Sequence, residues 1–235
     1  DPEMIAARLR FLPSGDHGYY RQKRIGADAT TGASLMFLDS DVIPQPGWLR
    51  HMLAALRDDR VQVLIGTTIV EPPEGLARLA SSLCWVFETV PPPGRGLTAA
   101  PRFIVNNVVF RRPVFERYPF EDSETVRGAC ERLGKTLQRN GITIWRHQEA
   151  VVEHPSFASE EELMERGARD GLDIVVRNQE VGASRATTIR RVINDYRHRR
   201  RRARQRFFGR QGLIDAPLGR KLSAAWLWWR CDLSM

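Results

Sequence analysis

Long hydrophobic runs, cysteine pairs and internal repeats are what this sequence lacks. No apolar stretch in its 235 residues approaches the length of a bilayer span, which excludes a complete membrane-crossing helix in the residues given. No segment reads as a secretory leader. The three cysteines, Cys84, Cys130 and Cys231, are odd in number, far apart and without metal-ligand spacing. That argues against a disulfide framework and for a reducing compartment. Acidic residues are nearly missing from one region: between Arg185 and Arg210 there are eleven arginines and one acid, Asp195. This local charge of +10 exceeds the chain's net +8, so the rest sums to about −2 and the basicity belongs to the C-terminal stretch alone. A hydrophobic content of 42% fits one packed domain with an appendage.

Against these absences stands one dense segment, Phe37-Leu38-Asp39-Ser40-Asp41-Val42-Ile43-Pro44-Gln45-Pro46-Gly47-Trp48-Leu49. An apolar strand, Ser34 to Leu38, runs into two carboxylates one residue apart and then a proline–glycine turn. Residues two apart in a strand point the same way, so Asp39 and Asp41 are expected to converge just beyond the strand's carboxyl end, where open α/β sheets hold ligands. Two like charges that close need a positive partner. A hard divalent cation carrying phosphate oxygens supplies one. The plainer alternative is that Asp39 and Ser40 only cap the turn by bonding their own backbone.

Periodicity predicts strands and helices in alternation. Helices are read at Pro2 to Arg8, Tyr19 to Thr31, Gln45 to Arg57, Gly75 to Val90, Glu124 to Asn140, Ser159 to Arg169, from Ala186 onward, and over Leu222 to Trp229. Strands are read at Leu9 to Leu12, Ser34 to Leu38, Val61 to Val70, Phe103 to Phe110, Ile142 to Arg146 and Ala150 to Glu153. Gly66 inside its strand suggests a close backbone approach, and residues 91–96, with three prolines and two glycines, form a loop beside the site. Ser159 and Glu162 have the spacing of a capping box. The whole is an α/β sheet layered by helices.

Four segments in this order resemble a family 2 glycosyltransferase with the nucleotide-diphospho-sugar transferase (GT-A) fold. They are Gly18 to Ala29, Phe37 to Leu49, Asn106 to Arg112, and Leu137-Gln138-Arg139-Asn140-Gly141 running on to His154-Pro155. The likeness covers roughly residues 10–157. It implies a GT-A-like, Rossmann-like mixed sheet and a division into a partial catalytic domain (1–157), a peripheral helix (158–184) and a basic, Trp-rich helical tail (185–235). It also implies that the nucleobase-binding unit precedes residue 1, so the sequence is read as a possible fragment. Where many relatives carry Gly-Glu-Asp this chain has Gly128-Ala129-Cys130, and Cys130 belongs to the apolar stripe of its helix.

The activity implied is metal-assisted sugar transfer from a nucleotide-diphospho-sugar to an acceptor hydroxyl, with inversion. Asp39 and Asp41 would hold Mn²⁺ or Mg²⁺ and the donor diphosphate. His154 is a third ligand or a backbone-bonded residue at a strand end. Lys23 and Arg24 reach donor phosphates or form a solvated face, and Asn106 and Asn107 lie on the acceptor side. Inversion needs a general base. Glu121, Asp122 and Glu124 are nearest by sequence, with Asp122 and Glu124 preferred, although acids at a helix start are also favoured by capping and the macrodipole. The arginines with Trp226, Trp228 and Trp229 suit an anionic membrane surface, hence a cytoplasmic enzyme at the membrane's inner face with a carbohydrate or lipid-linked acceptor. The rival reading is a non-catalytic protein that binds nucleic acid or membrane through the arginine helix.

Overall fold

The computed structural model describes residues 10–13, 15, 17–71, 74–84, 86–121, 128–180, 182–208 and 216–232. Helix α1 (Tyr19–Asp28) precedes strand β1 (Ser34–Leu38), the short strand β2 (Ile43–Pro44) and helix α2 (Trp48–Ala55). Strand β3 (Val63–Val70), helix α3 (Leu76–Cys84), and strands β4 (Leu97–Ala99) and β5 (Asn107–Arg111) follow. Helices α4 (Arg112–Arg117) and α5 (Gly128–Arg139) lead to the long strand β6 (Ile144–His154). Three helices complete the described chain: α6 (Glu160–Glu180), α7 (Arg185–Phe208) and α8 (Leu218–Asp232).

The sheet runs β1-β5-β3-β6-β2, with β4 also on β6. It is mixed: β3 and β6 are parallel and every other pair is antiparallel. Side chains alternate between two cores, as the period of two demands. Leu35, Phe37, Val63, Ile65, Val108 and Phe110 face α1, α4 and α5, where Phe115, Phe120, Leu133 and Leu137 join them. Leu64, Val109 and Val152 face the other way, onto Trp48 and Met52 of α2. A sheet layered by helices on both faces is the architecture expected from the sequence.

Local signals explain several boundaries. Helix α5 ends where Asn140-Gly141 predicted: Gly141 adopts φ +73°, its N–H bonds the Gln138 carbonyl, and Ile142 N–H bonds the Leu137 carbonyl, each at 3.0 Å. That pairing closes the helix with two of its orphan carbonyls satisfied. Ser159 Oγ accepts from the Glu162 N–H at 3.1 Å, and Glu162 reaches back to the Ala158 N–H at 2.8 Å. The capping box therefore forms, shifted by one residue on its return bond. The two strands read at 142–146 and 150–153 are one strand, β6, with an irregularity between them. Arg146 pairs with Ile65 and Val151 with Thr67, so residues 147–150 bulge opposite the single residue Gly66. The readings at Pro2 to Arg8 and Leu9, and the candidates Asp122 and Glu124, lie outside the described residues.

The arginine-rich region is more embedded than its charge suggests. Leu79 and Leu83 of α3, Leu163 of α6, Ala203 of α7, and Leu227, Trp228 and Cys231 of α8 form a third core. Arg206 is buried and donates to the carbonyls of Ser82, at 2.7 Å, and Phe87. It thereby satisfies a carbonyl at the end of α3, a position that favours a cation. Arg199 pairs with Asp170 and Asp195. Part of the positive charge is thus structural.

Candidate functional site

Strand β1 ends at Leu38, so Asp39, Ser40 and Asp41 lie in a turn, which the Asp39 N–H ties to β5 through the Asn106 carbonyl at 3.3 Å. The strand alternation invoked for the two acids therefore does not extend to Asp41. Both still line one cleft of about 1000 Å³, which Asn106 and His154 also line, but they have different partners.

Asp39 faces α1. Both its carboxylate oxygens accept from the Tyr19 hydroxyl at 2.7 Å, and Lys23 Nζ sits 2.5 Å from Oδ1. Tyr19 and Lys23 are four residues apart on one helix face, the spacing that lets them act together, and the ammonium also lies 4.7 Å from the Tyr19 ring centre. Burial first, and then the charge of Asp39, push the Tyr19 phenol far above its ordinary range, so it stays a donor. Lys23, read as a donor-phosphate group, is paired with Asp39. Arg24 is exposed one position further along α1.

Asp41 faces the other side, with its side chain 53% exposed and Oδ2 3.6 Å from His154 Nε2. The other ring nitrogen, Nδ1, lies 2.8 Å from the Pro155 carbonyl. A carbonyl only accepts, so that contact places the proton on Nδ1. Nε2 then faces the Asp41 carboxylate, a pairing that a ring proton or a cation between the two stabilises. Phe87 packs on the His154 ring at 4.8 Å and fixes its plane. Phe87 is thus a support for the histidine, a role its place beside the proline loop did not disclose.

The two asparagines part company. Asn106 borders the cleft and accepts a 3.4 Å bond from the Thr68 hydroxyl. Asn107 lies on the α2 face, where its Oδ1 accepts from Trp48 Nε1 at 2.9 Å, and it is absent from the cleft lining. Cys130 is buried, with its thiol pushed up to about 11 by burial and bonded to the Tyr20 hydroxyl at 3.0 Å. It is a packing residue and no base at neutral pH.

The described carboxylates nearest the expected base are engaged. Glu121 pairs with Arg132 at 3.1 Å. Glu131 pairs with Lys135 at 2.5 Å and Arg177 at 3.1 Å. Burial opposes Glu131's ionisation, but the Lys135 bond and the Arg177 and Arg102 charges outweigh it and hold its carboxyl below the usual range. Asp122 and Glu124 fall outside the described residues. Away from the cleft, His147 is held below the ordinary imidazole range by burial and by the neighbouring His51, with Glu149 opposing.

Residues 5–118 match the family described as Glycosyl transferase family 2. A search of curated protein sequences finds no match to the chain. Similar solved structures include the crystal structure of GalNAc-T7 with UDP, GalNAc and Mn²⁺, at 14% identity and TM-score 0.49, covering 68% of this chain and 35% of that one. Another is S. aureus TarS 1-349 in complex with UDP-GlcNAc, at 12% identity and TM-score 0.43, covering 74% of this chain and 54% of that one. The chain thus spans about a third of the first and half of the second.

Proposed function

Because residues 5–118 carry a glycosyl transferase family 2 domain, we propose that the chain moves a sugar from a nucleotide-diphospho-sugar to an acceptor hydroxyl, with inversion. The observation that carries this is the placement of Asp41 beside His154 Nε2, at 3.6 Å on the cleft wall. One carboxylate and one imidazole, both reachable, suit a divalent cation such as Mn²⁺, or Mg²⁺ with more water. Such a cation supplies positive charge where the departing diphosphate gathers negative charge.

Each protein group then has a task. His154 is oriented by the Pro155 carbonyl and the Phe87 ring. Asp39, neutralised by Lys23 and Tyr19, holds the turn that presents Asp41. Arg24 contacts donor phosphate from α1. Asn106 borders the acceptor side, with Asn107 behind it bracing Trp48. Asp122 or Glu124 removes the acceptor proton, since Glu121 and Glu131 are tied to cations. Residues 1–157 form the catalytic part, 158–184 a peripheral helix and 185–235 a basic helical unit.

The test is a nucleotide-sugar panel with Mn²⁺ on the product of the full open reading frame, alongside Asp122→Asn and Glu124→Gln. One of the two substitutions is expected to cut kcat by about 10²–10⁴-fold with KM little changed, the usual worth of a positioned base. Failure of every donor to be hydrolysed or transferred would contradict the reading.

The basic unit is proposed to seat the enzyme on the cytoplasmic face of an anionic membrane. On α8 the residues Leu218, Leu222, Trp226 and Trp229 fall on one stripe and are 45–65% exposed, while Arg200 and Arg204 of α7 are exposed. No helix among the described residues is long and apolar enough to cross a membrane, so the stripe would lie in the interface plane. Phosphatidylglycerol vesicles should retain the chain at low salt, and Leu222→Ser with Trp226→Ser should weaken retention at least tenfold. Preference for duplex DNA with a steep salt slope would favour nucleic-acid binding instead.

A further inference from the structure

We propose that His51, His147 and Glu149 form a second cation site, of the borderline transition-metal class that Zn²⁺ typifies, clipping helix α2 to the bulge of strand β6. The site shares no residue with the proposed donor site, and His147 lies seven strand positions from His154, roughly 20 Å along an extended chain. Its failure would leave the transferase reading standing, and the reverse also holds.

Three observations carry it. First, one potential ligand atom from each of these three residues lies within 4.8 Å of the others, an arrangement unique among the described residues. The imidazole rings are 4.9 Å apart and tilted by 43°. Second, His147 and Glu149 stand on the bulge itself, where residues 147–150 depart from the ladder opposite Gly66. Bulges re-aim side chains, and residues two apart on it point toward α2. The departure leaves polar atoms uncompensated on the same run: Trp145 Nε1, Arg146 Nε and Gln148 Oε1 are buried without a hydrogen-bond partner. Third, the bulge is tied to its surroundings through the proposed ligand, since Glu149 Oε2 accepts from the Gly96 N–H at 3.3 Å.

The chemistry selects the metal class. Two imidazoles and one carboxylate suit Zn²⁺ better than Mg²⁺ or Ca²⁺, and three protein ligands leave a fourth position for water. Bonds of about 2.0–2.1 Å in a tetrahedron place ligand atoms about 3.4 Å apart. The cluster must therefore contract by about 1.4 Å from its widest 4.8 Å separation. His51 and Glu149 are each only half-buried, so rotation of these two side chains can supply the movement. His147 Nδ1 accepts a long 3.3 Å bond from the Glu149 N–H. Coordination through Nε2 would move the ring proton to Nδ1 and give up that bond.

The consequence reaches the donor site through the backbone. Helix α2, N-capped by Gly47 at φ +87°, follows the turn that carries Asp41 with only the short strand β2 and Gln45-Pro46 between them. A metal joining α2 to β6 fixes both the start of that helix and, through Gly96, the proline loop at 91–96.

The test uses the full chain freed of metal with EDTA, titrated calorimetrically with Zn²⁺ alone and spectroscopically with Co²⁺. With no diphosphate present to complete the two-ligand donor site, expected are one Zn²⁺ per chain, a thermal midpoint raised by several degrees, and the visible Co²⁺ absorption of a tetrahedral site. His51→Gln and Glu149→Gln should each weaken binding at least tenfold and abolish the Co²⁺ bands, while Asp41→Ala should bind Zn²⁺ as the wild type does. Both substituted ligands are partly exposed and each change is close to isosteric, so the variants are expected to keep the wild-type circular dichroism. No stoichiometric binding, binding untouched by both ligand variants, or binding lost in Asp41→Ala would each overturn the proposal.

Discussion

Asp41→Ala is expected to lower metal-dependent sugar transfer by about 10²-fold or more while the thermal midpoint barely moves. The size follows from what a single group aimed at growing transition-state charge contributes, about 3–4 kcal/mol. The silence in stability follows from exposure. Asp41 is half exposed, its contact with His154 is 3.6 Å long, and trimming a surface group with so little packing leaves stability within about 0.5 kcal/mol. Asp39→Ala gives the contrast. It would leave Lys23, whose side chain is only 12% exposed, without its counter-ion, and the Tyr19 hydroxyl without its acceptor. That variant should lose stability as well as activity, because an uncompensated buried charge is costly. Activity assays beside thermal melts of the two variants check this; equal melting losses would mean that Asp41 is structural.

Gly66→Ala should be the most damaging single-atom-scale change in the sheet. An added Cβ would sit 2.3 Å from the Ala150 carbonyl and 2.3 Å from Asn107 Nδ2, both closer than real contacts allow. The first obstacle is backbone of the β6 bulge, and the second is a side chain already bonded to Trp48. Neither can yield without disturbing β3, β6 or α2. Overpacking of this kind costs about 3 kcal/mol, which in a chain of this size lowers the midpoint by about 6–12 °C. A thermal melt decides it, with Gly26→Ala as control, since a Cβ there meets nothing within 4 Å. A fall of less than about 2 °C in Gly66→Ala would show that the bulge yields easily.

Much of the architecture was legible because its signals are local. Asn140-Gly141 marks the end of α5, Ser159 and Glu162 mark the start of α6, and the apolar period located β1, α2 and β3. Gly66 announced a close approach without saying to what; the answer, a bulge in a strand 80 residues away, is tertiary. For the same reason the break between the two predicted strands at 142–153 could not be recognised as one strand with residues 147–150 pushed out. The short strand at Leu97–Ala99 and the helix at Arg112–Arg117 carry too few residues for a period to show.

The site was legible in its residue types more than in its partnerships. Asp39, Asp41, Asn106 and His154 do line one cleft. The strand alternation that paired the acids ended at Leu38, before either of them, so Asp39 turned to α1 and Asp41 to β6. Lys23 was placed near phosphate when its nearest charge is Asp39. The i,i+4 spacing of Tyr19 and Lys23 was the available clue, and it pointed to a shared target without naming it. The arginine-rich stretch looked like a uniformly charged surface. Arg206, buried against carbonyls at the end of α3, could not be distinguished from its neighbours by composition.

The most direct test of the account is the anomalous signal of Mn²⁺ in crystals soaked with a nucleoside diphosphate. The account predicts a peak within coordination distance of an Asp41 carboxylate oxygen and His154 Nε2, with Lys23 still on Asp39. A peak held by other residues, or none while the diphosphate is bound, would contradict it.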